Sequence, residues 1–242
     1  MMLGARAGAW AKSGSPTPAA YGGLCFTAES ANSSVQLTAV GSAPPTVTLV
    51  KSFDGVNWEA YTVGEVIDLP STGDFVYLAA GEGGNETFGS SVRFYHKFVI
   101  NGLVAASGDI TSLRRFDLEQ TPLASYCYYG IFRGCTGLTS APELPATTLA
   151  NSCYRNLFSG CTGLTSAPEL PATTLVSSCY YNMFSGCTNL SLIKVNFTVW
   201  TDQTSIWVDG VSPTGTFYKP SALPEEYGTS KIPTGWTVVN ID

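Results

Sequence analysis

CYYGIFRGCTGLTSAPELPATTLANS at 127–152, CYRNLFSGCTGLTSAPELPATTLVSS at 153–178 and CYYNMFSGCTNLSLIKVNF at 179–197 write one pattern three times. Cys127, Cys153 and Cys179 open the copies, so the period is 26 residues. A unit of that size cannot bury its own apolar face and must stack on its neighbours, which predicts a solenoid. Inside a unit, Cys127, Ile131, Phe132 and Cys135 stand at i, i+4, i+5 and i+8, the apolar stripe of a short helix. Ser125, Asn151 and Ser177 are placed to cap its start, and Gly134, Gly160 and Gly186 to end it. On that helix Tyr128, Tyr154 and Tyr180 flank the stripe, while Tyr129, Arg155 and Tyr181 point outward. Leu138, Ala141 and Leu144 recur at spacing three, a curved strand segment limited by Pro142 and Pro145. Phe158, in the middle unit, is expected to be more fully enclosed than Phe132 near the N-terminal end.

Upstream, from Leu24 to about Gly108, β-rich runs alternate with turn signals: LCFTAE, SVQLTAV, TVTLVKSF, NWEAYTV, EVIDLP, FVYLAAG, SVRFYHKFVI and LVAASG. Such spacing predicts a β-sandwich. In SFDGVNW, Asp54-Gly55 predicts a tight hairpin turn, because both residues tolerate positive φ; a loose likeness to the Asp-box of sialidase propellers occurs once, where a propeller repeats it. The glycine-rich GEGGNETFG loop is neither a phosphate loop nor a dinucleotide fingerprint. DITSLRRFDLEQTPLAS, 109–125, reads as a degraded first copy, with Leu118 aligned to Leu144 and Leu123 to Leu149. After Cys187 the pattern fades into a segment whose Trp200, Trp207 and Trp236 are suited to sealing the last unit, with sugar binding as the sharper alternative. The expected organisation is an arm at 1–20, a β-sandwich at 21–109, a repeat region with a degenerate cap at 110–198, and a C-terminal β cap at 199–242.

Composition narrows the function classes. Hydrophobic residues make up 44% of the 242-residue chain, enough to fill sizeable cores. Only 12% are charged, against about 25% in typical soluble domains, so Ser, Thr, Asn, Gly and Tyr must cover the surface. With net charge −6 and no basic run longer than Arg114-Arg115, nucleic acid is excluded as an expected partner. No signal peptide is legible at the N-terminus, and no stretch reaches the length of a membrane span. Six of seven cysteines occupy equivalent repeat positions, which predicts reduced, buried thiols. One histidine, His96, and the absence of a CXXC knuckle argue against a metal site, and no cofactor is expected. No catalytic group is expected either, since His96 has no nucleophile near it in sequence. Asp117, Glu143 and Glu169, one repeat apart, predict a row of carboxylates about 5 Å apart, read as a solvated row rather than a glycosidase pair.

MFSGCTNL and FSGCTGLTSAPELP resemble the FxxC, CxxL and following proline of BspA-like, or treponemal-type, leucine-rich repeats. CYYNMFSGCT and TSAPELPATTL are similar to a variant in surface proteins of gut Bacteroidales and their phages, and LCFTAE, SFDGVNW and the GTFYKPS…IPTGWTVV tail share the likeness. The 26-residue unit is longer than the usual repeat of that family, and there are only about three. The resemblance implies a mainly β chain with short helices, in which an Ig-like β-sandwich precedes a short capped leucine-rich-repeat solenoid of 26-residue α/β repeats. It further implies a non-enzymatic phage virion protein at the particle surface, a tail-fibre or other appendage component. The arm would join it to other virion proteins, and a host cell-surface protein or glycan would be its ligand; self-association is left open. The expected ligand-contacting residues are Thr139, Ser140 and Glu143 with their copies Thr165, Ser166 and Glu169. The alternatives are a BspA-like bacterial adhesin and a carbohydrate-binding module.

Overall fold

The computed structural model describes residues 21–241; the arm expected at 1–20 lies outside them. All eight N-terminal runs form strands: β1 (Cys25–Ala28), β2 (Ser33–Val40), β3 (Leu49–Ser52), β4 (Glu59–Tyr61), β5 (Val66–Leu69), β6 (Phe75–Ala80), β7 (Tyr95–Asn101) and β8 (Val104–Ser107). They build two antiparallel sheets, β5-β2-β7 and one containing β4-β3-β6-β1-β8. Period-two alternation explains the apolar β6. Val76 and Leu78 enter the main core with Phe26, Val35 and Phe98, while Phe75 and Tyr77 turn to a second cluster with Cys25, Tyr21 and Trp58. Asp54 and Gly55 lie in the bend between β3 and β4, but the connection is wider than the tight hairpin turn expected, since the strand ladder closes only at Lys51 and Glu59. Gly55 has φ 73°, and the Asp54 carboxylate accepts from the Val56 and Asn57 amides at 2.9 and 2.7 Å.

The larger sheet does not stop at the repeats. Strand β9 (Leu138–Ser140), from the first copy, pairs in parallel with β8 and becomes its sixth member. One continuous core runs from Leu24 to Trp236, across the boundary expected between residues 109 and 110. The register here differs from the expected one. Asp109 pairs with Glu143, the Glu143 amide donates to the Gly108 carbonyl at 2.8 Å, and Leu118 is only partly buried, unlike Leu144 and Leu170. The offset is therefore 34 residues rather than 26, because the 115–122 segment bulges outward as an exposed loop instead of tracking the units.

Within the repeats the expected short helices are absent, and turns replace them; among the described residues only Ile110–Leu113 and Asp202–Thr204 are helical, both as single 3₁₀ turns. Odd-numbered amides of the first copy close tight turns: Tyr129 to the Tyr126 carbonyl, Ile131 to Tyr128, Arg133 to Gly130. Even-numbered amides reach the next coil instead: Tyr128 to Cys153 at 2.9 Å, Gly130 to Arg155 at 3.0 Å, Phe132 to Leu157 at 3.1 Å, Gly134 to Ser159 at 2.8 Å. Every fourth residue takes a positive φ, as at Ser152 (56°), Asn156 (59°) and Gly160 (78°). Repeated left-handed residues forbid an α-helix, whereas a neighbouring coil supplies the carbonyls that turns leave wanting. The stripe residues still point inward, since pairs buried every four residues mimic helical periodicity; Cys127, Ile131, Phe132 and Cys135 are all buried. Ser125, Asn151 and Ser177 therefore cap no helix.

Three ladders run through the stack. Phe98, Phe132, Phe158 and Phe184 lie face to face at 5.2, 5.4 and 5.7 Å between centroids, and Trp207 follows at 6.2 Å. Phe88, Tyr128, Tyr154 and Tyr180 form a second column at 6.3, 5.9 and 6.3 Å. The Cys135, Cys161 and Cys187 thiols donate to the carbonyls of Phe98, Phe132 and Phe158 at 3.2, 3.0 and 3.0 Å. Phe132 is consequently enclosed on both sides, like Phe158, because β7 supplies the preceding ring.

The coiling also continues past Cys187. Strands β10 (Leu192–Lys194), β11 (Thr216–Lys219) and β12 (Thr237–Asn240) pair in parallel, and the Phe184 and Gly186 amides donate to the Trp207 and Asp209 carbonyls. Gly210, φ 70°, stacks on Gly186 as Gly186 does on Gly160. The residues expected to form a cap thus include two further, shorter turns of the same path, hidden because their intervals are 24 and 21 residues, from Leu192 to Thr216 to Thr237.

Candidate binding faces of the stacked repeats

The Thr-Ser-Glu segments lie along the strand side of the stack. Sequence assigns the two copies one role, but their surroundings differ. Thr139 and Ser140 belong to β9 beside β8: the Ser140 hydroxyl donates to the Ala106 carbonyl at 2.7 Å, and the Thr139 hydroxyl oxygen is buried without a partner. Thr165 and Ser166 are exposed. Glu143 is exposed beside Asp109, while Glu169 pairs with Lys194 at 3.1 Å and accepts from Asn196 at 3.5 Å. The expected carboxylate row is altered at its first member. Asp109 takes the place given to Asp117, and Asp117 sits in the outlying loop paired with Arg115 at 3.2 Å.

The opposite, turn-bearing side carries different chemistry. Tyr129, Arg155 and Tyr181 align in successive coils, and the Arg155 guanidinium lies over the Tyr181 ring, 4.3 Å from its centroid. Tyr129, expected to be exposed, has its ring buried against Tyr95 at 4.9 Å, because the β7 end covers the first coil. Asn182 donates to the Asn156 side-chain carbonyl at 2.9 Å, and Asn156 to the Tyr129 hydroxyl at 2.8 Å. Burial raises the Tyr129 hydroxyl's pKa, opposed by that hydrogen bond and by the nearby Arg133 and Arg155 guanidiniums. Arg155 Nε is buried with no hydrogen-bond partner.

Groups with intrinsic reactivity are held in structural roles. His96 is buried on β7 with Nδ1 3.3 Å from the Phe88 carbonyl, and burial lowers its pKa. All seven cysteines are free and buried, and burial pushes Cys127, Cys135 and Cys187 up to about 12. Trp200, Trp207 and Trp236 are buried and donate their indole N–H to the carbonyls of Pro224, Lys231 and Ser212. Their faces are core, not a sugar platform. Among the described residues no group of three or more His, Cys, Asp or Glu is placed to hold a metal, and no helix is long and apolar enough to cross a membrane.

Two structural side chains escaped the sequence reading. Arg114, half of the basic pair, is buried and donates to the carbonyls of Glu86, Thr121 and Pro122 at 3.0, 3.3 and 3.0 Å. Asn85, in the glycine-rich loop, clips Thr48 through both its side-chain atoms and reaches the Leu113 carbonyl at 2.7 Å. Neither carries a periodic signal; a buried polar residue at a junction is invisible to hydrophobic patterning. Comparison with family models, with curated proteins and with solved structures returns no match.

Proposed function

We propose that the chain is a non-enzymatic structural and binding component of a phage particle, part of a tail fibre or similar surface appendage. The observation that carries the structural half is the pair of aromatic columns crossing from Phe88 and Phe98 through every repeat to Phe197 and Trp207. Rings stacked in series behind one core favour a stiff rod, which suits a spacer or adhesive arm. The phage assignment itself comes from the resemblance of the repeat phrases. On this reading 127–197 is a leucine-rich-repeat-type solenoid whose side opposite the strands is built from turns. On the same reading the N-terminal sheets are an Ig-like sandwich, a reading that the β2–β5 and β3–β6 pairings support, since they correspond to the B–E and C–F pairs of that fold. Strand β1, however, lies beside β6 and β7 beside β2, reversing the places of the last and first strands. Mass spectrometry of purified particles and of the host cell envelope tests the assignment. Peptides from this chain are expected in particles in stoichiometric amounts. Their recovery from the envelope of uninfected cells instead would make the chain a bacterial adhesin.

A further inference from the structure

The copies 127–152 and 153–178 are the same from Gly134 to Leu149 and from Gly160 to Leu175, so their differences are concentrated elsewhere. Tyr129, Gly130 and Arg133 become Arg155, Asn156 and Ser159, all on the turn side of the stack. Cations also stand here without acids. Among the described residues no ion pair joins Arg133 or Arg155 to a carboxylate; Arg93 and Lys97 make none either, Arg114 and Lys219 donate to carbonyls, and Lys51, Arg115, Lys194 and Lys231 are paired with acids. Arg133 is exposed, and Arg155 lies over the Tyr181 ring with its Nε buried, so its terminal nitrogens remain the donors on offer. Beside them, Tyr126 and Tyr181 are half-buried, and Ser159 and Asn182 add hydroxyl and amide groups linked at 3.1 Å. On the opposite side Glu143 and Glu169 are exposed, Glu169 paired with Lys194, while on the turn side the exposed Asp209 stands in a later coil, its carbonyl taken by the Gly186 amide.

We propose that this turn side, centred on Arg133, Arg155 and Tyr181, binds an acidic polysaccharide. The coils already use their even-numbered amides to join one another, which leaves recognition to side chains and disfavours a peptide strand added through its backbone. Two guanidiniums are too few to neutralise a nucleic-acid backbone. A guanidinium fork for a carboxylate or sulfate, ring faces for a sugar, and amide and hydroxyl groups for its hydroxyls are the complement of a charged glycan. Coils about 5 Å apart repeat on the scale of one sugar residue along a polymer. The inference rests on the reading of the chain as a binding module, and its test is independent of where in a particle the chain resides.

Affinity electrophoresis of the full chain through gels containing polygalacturonate, its methyl-esterified form, dextran sulfate or poly-glutamate provides the test. Retardation is expected with polygalacturonate or dextran sulfate, which separates a carboxylate from a sulfate ligand, and it should weaken as salt is added. Arg155→Gln should weaken binding about tenfold, the equivalent of one charge-assisted hydrogen bond, and Arg133→Gln with Arg155→Gln should abolish it. Glu143→Gln with Glu169→Gln should leave it intact. Thermal melts check that the variants fold; should Arg155→Gln not, Arg133→Gln alone, at an exposed site, must still weaken binding. No retardation by either acidic polysaccharide, equal retardation by the esterified polymer or by poly-glutamate, or unchanged binding by the double variant would each overturn the proposal. Such a result, with the chain recovered from particles, would leave the structural assignment standing.

Discussion

Residues 134–149 and 160–175 are the same sixteen letters in two places. Inside the stack the places are equivalent: Phe132 and Phe158 each lie between two rings, and Cys135 and Cys161 each donate to the carbonyl of the ring before. Outside they are not. The first copy is zipped to β8 through β9, whereas the second pairs its backbone with the coil after it and leaves the Thr165 and Ser166 side chains exposed. A repeat therefore dictates its interior, which it makes with copies of itself, but not its surface, which depends on what precedes it in the stack.

The largest expected effect probes the shared interior. Burial raises every repeat thiol above its ordinary 9.0, to about 12 for Cys127, Cys135 and Cys187 and to about 11 for Cys179. A folded-state pKa above the unfolded value means that the stabilisation is complete below about pH 9 and is lost as pH rises toward the folded values. Urea stability should be level to about pH 9 and then collapse toward pH 12, by more than any one substitution removes. One cooperative transition is expected at each pH; two would mean that the copies do not share a core. Under native conditions near neutral pH, thiol reagents should label few of the seven cysteines.

Next come the rings. Phe132→Ala and Phe158→Ala should each cost about 3 to 5 kcal/mol, and the two should agree within about 1 kcal/mol despite their different distances from the N-terminal end. The periodicity alone pointed to a larger loss at Phe158. Denaturant melts that return that inequality would mean that Phe98 does not complete the column at Phe132.

The contrast between interior and surface also explains what was legible in the sequence. The eight strands, the Asp54-Gly55 bend, the buried thiols and the apolar stripe could be read because each rests on local pattern or on repetition. The helix was misread because pairs of apolar residues every four positions satisfy a helical wheel. The corrective signal was Gly130, Asn156 and Asn182 in register with Gly134, Gly160 and Gly186, residues that accept positive φ four apart. The later turns of the stack were missed because their intervals shrink, although VDGV at 208–211 still places Gly210 where SGC places Gly186. Of the six expected contact residues, sequence could not tell that Ser140 is occupied by the Ala106 carbonyl, a partner 34 positions away. The turn side could be found only by asking where the copies differ.

A smaller effect sharpens the surface half of the comparison. Ser140→Ala removes a hydrogen bond to a partly buried carbonyl and should cost about 1 kcal/mol. Ser166→Ala touches an exposed hydroxyl whose contact with the Ala167 carbonyl is 3.4 Å long, and it should cost near zero. Equal melting shifts for the pair would deny that β8 distinguishes the copies.

The smallest expected difference lies between the two glutamates, and its sign is the reverse of the serines'. Here the second copy is the engaged one, since Glu169 pairs with Lys194 and Glu143 stands exposed beside Asp109. Both partners of the ion pair are well exposed, 49% and 39% for their side chains, so screening by water limits its worth to about 0.5 kcal/mol or less. Glu143→Gln removes an exposed carboxylate with no ion pair, bridged through its backbone to Asp109, and should be neutral or slightly stabilising, whereas Glu169→Gln should destabilise within that limit. The difference should shrink as salt is added, because exposed charges are screened within about 10 Å at moderate ionic strength. Measuring both variants in low and high salt reads the effect out. A loss at Glu169 that survives high salt would point to a buried hydrogen bond rather than a surface pair, and a loss at Glu143 would mean that its neighbourhood with Asp109 is bridged by a cation.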